Sequence, residues 1–525
     1  MKRTLLLAAL GVGFAFDFLF WGKPLGISWA IFVFFGMLIG VVLLCVQKIK
    51  PLGKNFILLV LIIFFSVMSF LHREPLTTFL NITFSMLFIV ILVMTYRSGS
   101  WTSFNLRDYV SNLLHVVGSM FVHPQDQSIS AKTQQADQKN TQKRKAYLSV
   151  LRGILLALPV LFLFALLLSS ADLVFAQKLD VFFANFQLEK LGEYLFRSSY
   201  ILLIAYCFVG LIRHAALRSQ QEKVAGLNEP LLKPFLGFTE TSIVLGSVIA
   251  LFSVFVIIQF QYLFFGQNNI TLTGFTYSEY ARRGFGELVA VAVFSLLLLQ
   301  SLGAITKRET KQQKKIFSIL VTGLVITVLV ILVSAFQRLL LYESAYGFSQ
   351  LRTYAHVFML WLGILLVAVL IFEIRERPRL ITNLVLAVMI GFTATLNCMN
   401  VDAFIARQNV KRAVQGEGLD IAYLASLTDD AVPGLVRVYS STETPSAIRD
   451  EVGAALVCHT ALKGTDNSQT KPWQSFHLST WRADRALEKV RANLSNYQIR
   501  EESWQTVVSS PKGLEYSCQG SAWMD

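Results

Sequence analysis

The chain has 525 residues, of which 54% are hydrophobic and only 15% charged, whereas soluble globular domains carry about 25% charged residues; its mean hydropathy is +0.54. The net charge of +14 does not argue for nucleic acid. Residues 402–525 hold 13 Lys/Arg against 15 Asp/Glu, so the positive excess lies in the apolar part of the chain, where basic residues collect in alternate loops.

The apolar residues come in blocks of membrane-spanning length, and each block must be helical, because hydrocarbon offers the backbone no other hydrogen-bond partner. Eleven spans are expected, at 4–20, 27–47, 55–71, 76–95, 149–170, 198–214, 238–264, 284–304, 316–341, 357–373 and 380–398. The first follows Lys2 and Arg3 and reads as a retained signal anchor, since it lacks a small-x-small cleavage site. It carries Asp17 near its outer end. Gly36 and Gly40 form a G-x-x-x-G pair, and Ser242, Gly246 and Ala250 a small-residue row; both permit close helix packing. The span at 76–95 is the most polar, with Asn81 and Thr83. Pro159 is expected to kink the fifth span.

Three segments between the spans have their own character. Residues 104–122 place Leu106, Val110, Leu113, Leu114, Val117 and Phe121 at helical spacing, as an amphipathic helix on the inner membrane surface does. Residues 123–146 are rich in Gln, Lys and Asp and read as a disordered cytoplasmic linker. Residues 173–190 are too charged to span and read as a helix on the outer surface.

The most pointed stretch runs from Thr276 to Leu288. Thr276 and Glu279 make a capping box, and Glu279, Arg283 and Glu287 are spaced by four as a ladder of opposite charges. Tyr277, Tyr280, Gly284 and Leu288 occupy a neighbouring face. Two readings stand: a tyrosine-anchored, self-paired helix entry, or a site for an anionic or polar ligand formed by Tyr277, Glu279, Tyr280, Arg282, Arg283 and Glu287. Glu240, at the start of its span, suits a helix N-terminus. Arg338, His356, Asn397 and Asp402 fall near the outer boundary, where they suit either an outward-facing cleft or loops docked on a soluble domain.

Residues 399–525 read as a water-soluble domain, mostly helical with a small β element. Asp402, Asp420 and Thr444-Pro445 sit at plausible helix starts. Trp481–Leu494 forms a further amphipathic helix, and Trp504–Ser509 with Leu514–Gln519 suits a terminal hairpin. Of five cysteines, Cys45, Cys207 and Cys398 lie in apolar blocks, leaving Cys458 and Cys518 as the expected disulfide pair of the tail. No Cys/His metal spacing, Walker loop, dinucleotide glycine motif, H-E-x-x-H or G-x-S-x-G is present. No cofactor or metal is therefore expected, nor ATPase, kinase, zinc-protease or serine-hydrolase chemistry.

With the N-terminus inside, the cytoplasmic segments hold 25 Lys/Arg and the outer ones 9. An odd span count then puts the C-terminus outside. The fold class expected is an all-α polytopic membrane protein of about eleven transmembrane helices, with an extracytoplasmic C-terminal domain. Its parts would be residues 1–122 (four spans and the interfacial helix), 123–146 (linker), 147–398 (seven spans) and 399–525 (soluble domain).

The run Tyr277-Ser-Glu279-Tyr-Ala-Arg-Arg283-Gly-Phe-Gly-Glu287-Leu resembles the Y-x-E-Y-A-R-x-G-F-x-E-L signature of a family of bacterial polytopic membrane proteins known as a domain of unknown function. Gly286 departs from the bulkier residue the family carries there. Asn400-Val-Asp402-Ala-Phe-Ile-Ala-Arg407-Gln-Asn409, Leu419-Asp420-Ile-Ala-Tyr423-Leu424 and Leu427-Thr-Asp429-Asp-Ala-Val-Pro433-Gly-Leu435 are similar to it as well. The resemblance implies a bacterial cell membrane and supplies no activity. Three functions remain in view: a non-enzymatic envelope anchor or sensor whose outer domain binds an extracytoplasmic protein or envelope ligand, a secondary transporter or lipid translocator, and an envelope-modifying transferase. The one partner common to all is the lipid bilayer.

Overall fold

The computed structural model describes residues 2–121, 189–219, 234–264, 285–375, 381–464, 472–502 and 505–519, with isolated positions between 153 and 178. Ten of the described helices are long and apolar enough to cross a membrane, and they coincide with ten of the eleven expected spans. The linker and most of the span at 149–170, of the helix at 173–190 and of the entry at 276–288 lie outside the described residues.

The helices are α1 (Lys2–Phe20), α2 (Ile27–Val46), α3 (Phe56–Leu71), α4 (Pro75–Thr95), α5 (Leu106–Phe121), α6 (Glu189–Leu217), α7 (Phe238–Phe264), α8 (Phe285–Ile305), α9 (Lys311–Tyr346), α10 (Gln350–Ile374) and α11 (Ile381–Met399). They continue with α12 (Val401–Val414), α13 (Ile421–Ser426), α14 (Val432–Ser440), α15 (Ser446–Gly464) and α16 (Leu478–Leu494), ahead of strands β1 (Gln498–Glu502), β2 (Gln505–Ser509) and β3 (Glu515–Ser517). The helix α5 keeps Val110, Leu113, Leu114 and Val117 exposed, the apolar face that an interfacial helix lays on a bilayer.

Contacts divide the chain into two compact units. One consists of residues 1–63, 86–99 and 110–222. In it α1 packs along α6 and against α2. Gly13 permits the closest approach, since a Cβ there would collide with the backbone carbonyl of Ile201. Gly40 packs on the Ile212 side chain, whereas Gly36 faces open space, so one glycine of the G-x-x-x-G pair serves close packing here. Asp17 is not a solitary interfacial carboxylate. Arg197 of α6 grips it with Nε at 2.9 Å and Nη2 at 2.6 Å, and Tyr200 donates to it.

The other unit consists of residues 64–85, 100–109 and 223–525. Its membrane core is built on α9, against which α7, α8 and α10 pack, with Leu245, Ala292, Leu324, Val328, Leu339 and Leu366 fully enclosed. The helix α11 lies along α10. Gly391 makes room there for the Trp361 ring, whose Nε1 donates to Thr395 at 3.1 Å. Asn81 of α4 and Asn397 of α11 form a reciprocal amide pair at 2.8 and 2.9 Å, by which the most polar span satisfies its buried amide.

A single turn at Asn400, in the left-handed region with φ 51°, separates α11 from α12. Asn400 caps α12 with its own side chain, accepting from Ala403 N. Asp402, expected as a cap, lies one residue inside the helix and bonds elsewhere. Asp420 does cap α13, accepting from Tyr423 N at 2.8 Å. The helices α12 to α16 close round Ile405, Leu424, Leu435, Val452, Ala455, Leu456 and Ala483, in a core that also takes in Leu76, Val357 and Leu396 from the span ends. The run Val452–Cys458 is buried all round because α13 and α14 cover α15 on one side and β2 on another. The expected hairpin is part of a three-stranded antiparallel sheet in the order β1-β2-β3, with Ile499 opposite Val508 and Val508 opposite Tyr516. Cys518 is bonded to Cys458 of α15, their Cα atoms 5.1 Å apart.

Candidate functional site

The short connections of the second unit bring its polar residues to one place. His72-Arg73-Glu74 joins α3 to α4, Thr428-Asp429-Asp430 leads into α14, and Asn400 turns the chain into α12. The helix α15 contributes His459 and Lys463, four residues apart and so on one face. The first turn of α16 contributes Ser479 and Thr480.

Asp429 is the centre. Its side chain is 1% exposed and accepts from four donors. His459 Nε2 lies at 3.1 Å and Lys463 Nζ at 2.9 Å from Oδ1; Arg73 Nη1 lies at 3.0 Å and Thr480 Oγ1 at 2.6 Å from Oδ2. Burial alone would raise the pKa of this carboxyl, but the hydrogen bonds from His459, Thr480 and Lys463 and the Lys463 charge hold it well below the usual carboxylate range. The other ring nitrogen of His459, Nδ1, faces the Ala425 carbonyl at 3.0 Å. Both ring nitrogens thus face oxygen atoms of the network.

Asp430 accepts from Arg73 N at 2.8 Å and meets His72 Nδ1 at 3.1 Å, with Asn400 Nδ2 at 3.4 Å. Asp402, 0% exposed, accepts from Thr428 N and Oγ1 at 2.9 and 2.7 Å and from Gln350 Nε2 at 2.7 Å. Burial raises its pKa in spite of these bonds, and the neighbouring charge of Glu74 adds to the rise. Glu74 caps α4, accepting from Leu76 N and Thr77 N, and takes a further hydrogen bond from Tyr354 of α10. Gln350 N, at the start of α10, donates to the Tyr423 hydroxyl at 2.9 Å. Burial pushes that phenol up to about 12. The connection between two spans, the start of a third and four helices of the C-terminal region thereby share one buried network.

Beside it opens a pocket of about 490 Å³. Asn400, Asp429, Asp430 and Ser479 border the network side, Val410, Leu435 and Val438 give an apolar wall, and Arg407, Arg437 and Arg482 also line it. Among the described residues these three arginines form no ion pair, whereas both pocket carboxylates are already matched. Its two acids accept from several donors each, and its three arginines form no ion pair among the described residues.

Of the residues singled out in the sequence, Glu287 is exposed in the first turn of α8. Tyr277, Glu279, Tyr280, Arg282 and Arg283 lie outside the described residues. Arg338 and His356 do not join Asp402; His356 Nδ1 meets Glu343 at 3.1 Å in a separate group on α9 and α10. Asn397 pairs with Asn81, as above. The network was missed in the sequence, although Asp429 and Asp430 sit in a stretch that resembled the family and His459 and Lys463 carry helical i, i+4 spacing.

The model of the family described as "Domain of unknown function (DUF4153)" matches residues 59–438, well over half of the chain. The chain belongs to the DUF4153 family. The DUF4153 match takes in His72–Glu74, Asp402, Asp429, Asp430, Arg407 and Arg437, and ends before His459, Lys463, Ser479 and Arg482. Most of the pocket lining therefore falls within the family match, and Ser479 and Arg482 come from the following segment. No curated protein and no solved structure matches the chain.

Proposed function

We propose that this DUF4153 membrane protein is a non-enzymatic anchor and sensor of the cell envelope. It holds its C-terminal region outside the cytoplasm, where that region meets an extracytoplasmic protein or an envelope ligand. The observation that carries the reading is the grip of Asp429 and Asp430 on His72 and Arg73. Through it, any shift of α14, α15 or α16 on binding is felt at the connection between α3 and α4. The charge bias of the loops supports this orientation, and the Cys458–Cys518 bond suits an oxidising compartment.

The test is topological and mechanical together. Reporter fusions after Gln415 and at Ser130 should report opposite sides of the membrane; the same side for both refutes the orientation. A single-cysteine label at exposed Trp473 should be reached by an impermeant reagent in intact cells. Protection of that label sinks the outer placement independently of the fusions.

The transporter reading has one observation in its favour, the buried Glu343–His356 pair with Arg338 nearby in sequence on the same helix. Glu343 lies in the last turn of α9, however, and His356 in the second turn of α10. Further ion pairs at the described spans, Asp17–Arg197, Glu193–Arg197 and Arg308–Glu373, also sit toward span ends or in the adjoining connection. Transporter sites lie near the midplane, so these pairs favour helix fastening over passage.

A further inference from the structure

We propose that the pocket bordered by Arg407, Arg437 and Arg482 binds a phosphate-bearing amphiphile, with an anionic phospholipid of the adjoining leaflet as the source that the geometry favours. The proposal deepens the anchor-and-sensor reading by naming the ligand class of the C-terminal region.

Charge comes first. Arg407, Arg437 and Arg482 stand on three different helices, α12, α14 and α16, yet line one cavity. No ion pair involves any of them among the described residues. The two acids on the same lining are not available to them, because Lys463, Arg73, His459 and His72 already occupy Asp429 and Asp430. The lining thus presents guanidinium forks without a matching carboxylate, and the fork geometry suits paired oxygens of phosphate.

The second observation is independent of charge. Ser479 is 3% exposed, and its Oγ makes no hydrogen bond among the described residues. A buried hydroxyl without a partner is unfavourable, and Ser479 is one of the residues that line the pocket. A ligand oxygen would satisfy it.

The third is shape and place. The cavity is within the range of small-ligand sites, and Val410, Leu435 and Val438 make part of its wall apolar, which a bare inorganic ion would not use. Arg407 stands about 10 Å along α12 from Asn400 at 1.5 Å per residue, and Asn400 follows directly on the span α11. A headgroup lying at the membrane surface is within reach of such a pocket, while its glycerol and upper acyl carbons can lie along the apolar wall.

Full-length protein in nanodiscs and in detergent is the material for the test, so the result does not depend on which face the region occupies in the cell. Retained lipid would be measured by native mass spectrometry with phosphatidylglycerol and with phosphatidylcholine, and binding of glycerol phosphate and of inorganic phosphate by competition. Phosphatidylglycerol should bind at least about tenfold more tightly than phosphatidylcholine, as the loss of charge-assisted contacts implies. An Arg437→Ala/Arg482→Ala double variant should lose that preference, and Arg491→Ala, an exposed arginine off the lining, should keep it. If glycerol phosphate or inorganic phosphate binds as tightly as the lipid, the phosphate chemistry stands and the source is soluble. Should the double variant melt early, the single variants Arg437→Gln and Arg482→Gln supply the same readout. Equal binding of the two lipids with no phosphate competition overturns the proposal, as does an unaltered preference in the folded arginine variants.

Discussion

Replacing Asp429 by Ala removes an acceptor shared by four donors, and the cost can be worked from their surroundings. Lys463 is left with a side chain 17% exposed and one distant partner, Asp484 at 3.5 Å. Arg73 is 38% exposed and can turn to water, and His459 keeps its contact with the Ala425 carbonyl. Most of the penalty therefore falls on Lys463 and on the half-buried hydroxyl of Thr480. Removing one member of a buried pair costs about 3–5 kcal/mol, and the exposure of Arg73 places this case at about 3 kcal/mol. Asp429→Asn keeps the shape and an acceptor oxygen, and should cost roughly half as much. The pH dependence has a definite sign. The folded pKa of Asp429 is depressed from its ordinary 3.8, so its contribution is present above pH 3.8 and lost as pH falls further. Wild-type protein should lose stability below about pH 4 more steeply than Asp429→Asn. The assay is hydrogen exchange of α14 and α15 in the detergent-solubilised protein, with thermal melting in parallel. An Asp429→Ala protein whose exchange matches wild type to within about 0.5 kcal/mol would refute the claim that this carboxylate organises the region.

Three further outcomes follow from the same packing. Asn81→Leu should destabilise by about 1–2 kcal/mol by stranding the Asn397 amide, and adding Asn397→Leu should recover part of the loss; additive losses in thermal melting would contradict the pairing. Gly391→Val should push Trp361 off α11 and cost about 1–3 kcal/mol or more, read from the melting temperature and from Trp361 fluorescence. Cys458 and Cys518 close a separation of 60 residues, so their joint replacement by Ser should cost roughly 4 kcal/mol on the chain-entropy model; free alkylation of both thiols in unreduced native protein would show that the bridge is not made in the cell.

Some features of this fold could be read locally and some could not. The ten described spans appear in the sequence because hydrocarbon forces any block of about twenty apolar residues into a helix, whatever it packs against. The amphipathic helix α5 is legible for a related reason, since period and amphipathicity are properties of a single segment. The strand β1 was not legible: Gln498–Glu502 reads QIREE, with one apolar residue and no alternation, and it is a strand because β2 offers it a partner. The helix start at Asn400 was obscured by Asp402, whose carboxylate is drawn instead to Thr428 and Gln350.

The sequence by itself thus determined the membrane class, the places of the spans and the candidate cysteine pair, all of which follow from composition over one window or from elimination. Tertiary structure alone decided which charges meet. Arg73 and Asp429 stand 356 residues apart, Asp17 and Arg197 180, and Asn81 and Asn397 316. Nothing in a local pattern selects such pairs. Their reason is energetic: an isolated buried charge or amide is costly, so the fold that survives is the one in which these groups find their partners across hundreds of residues of chain.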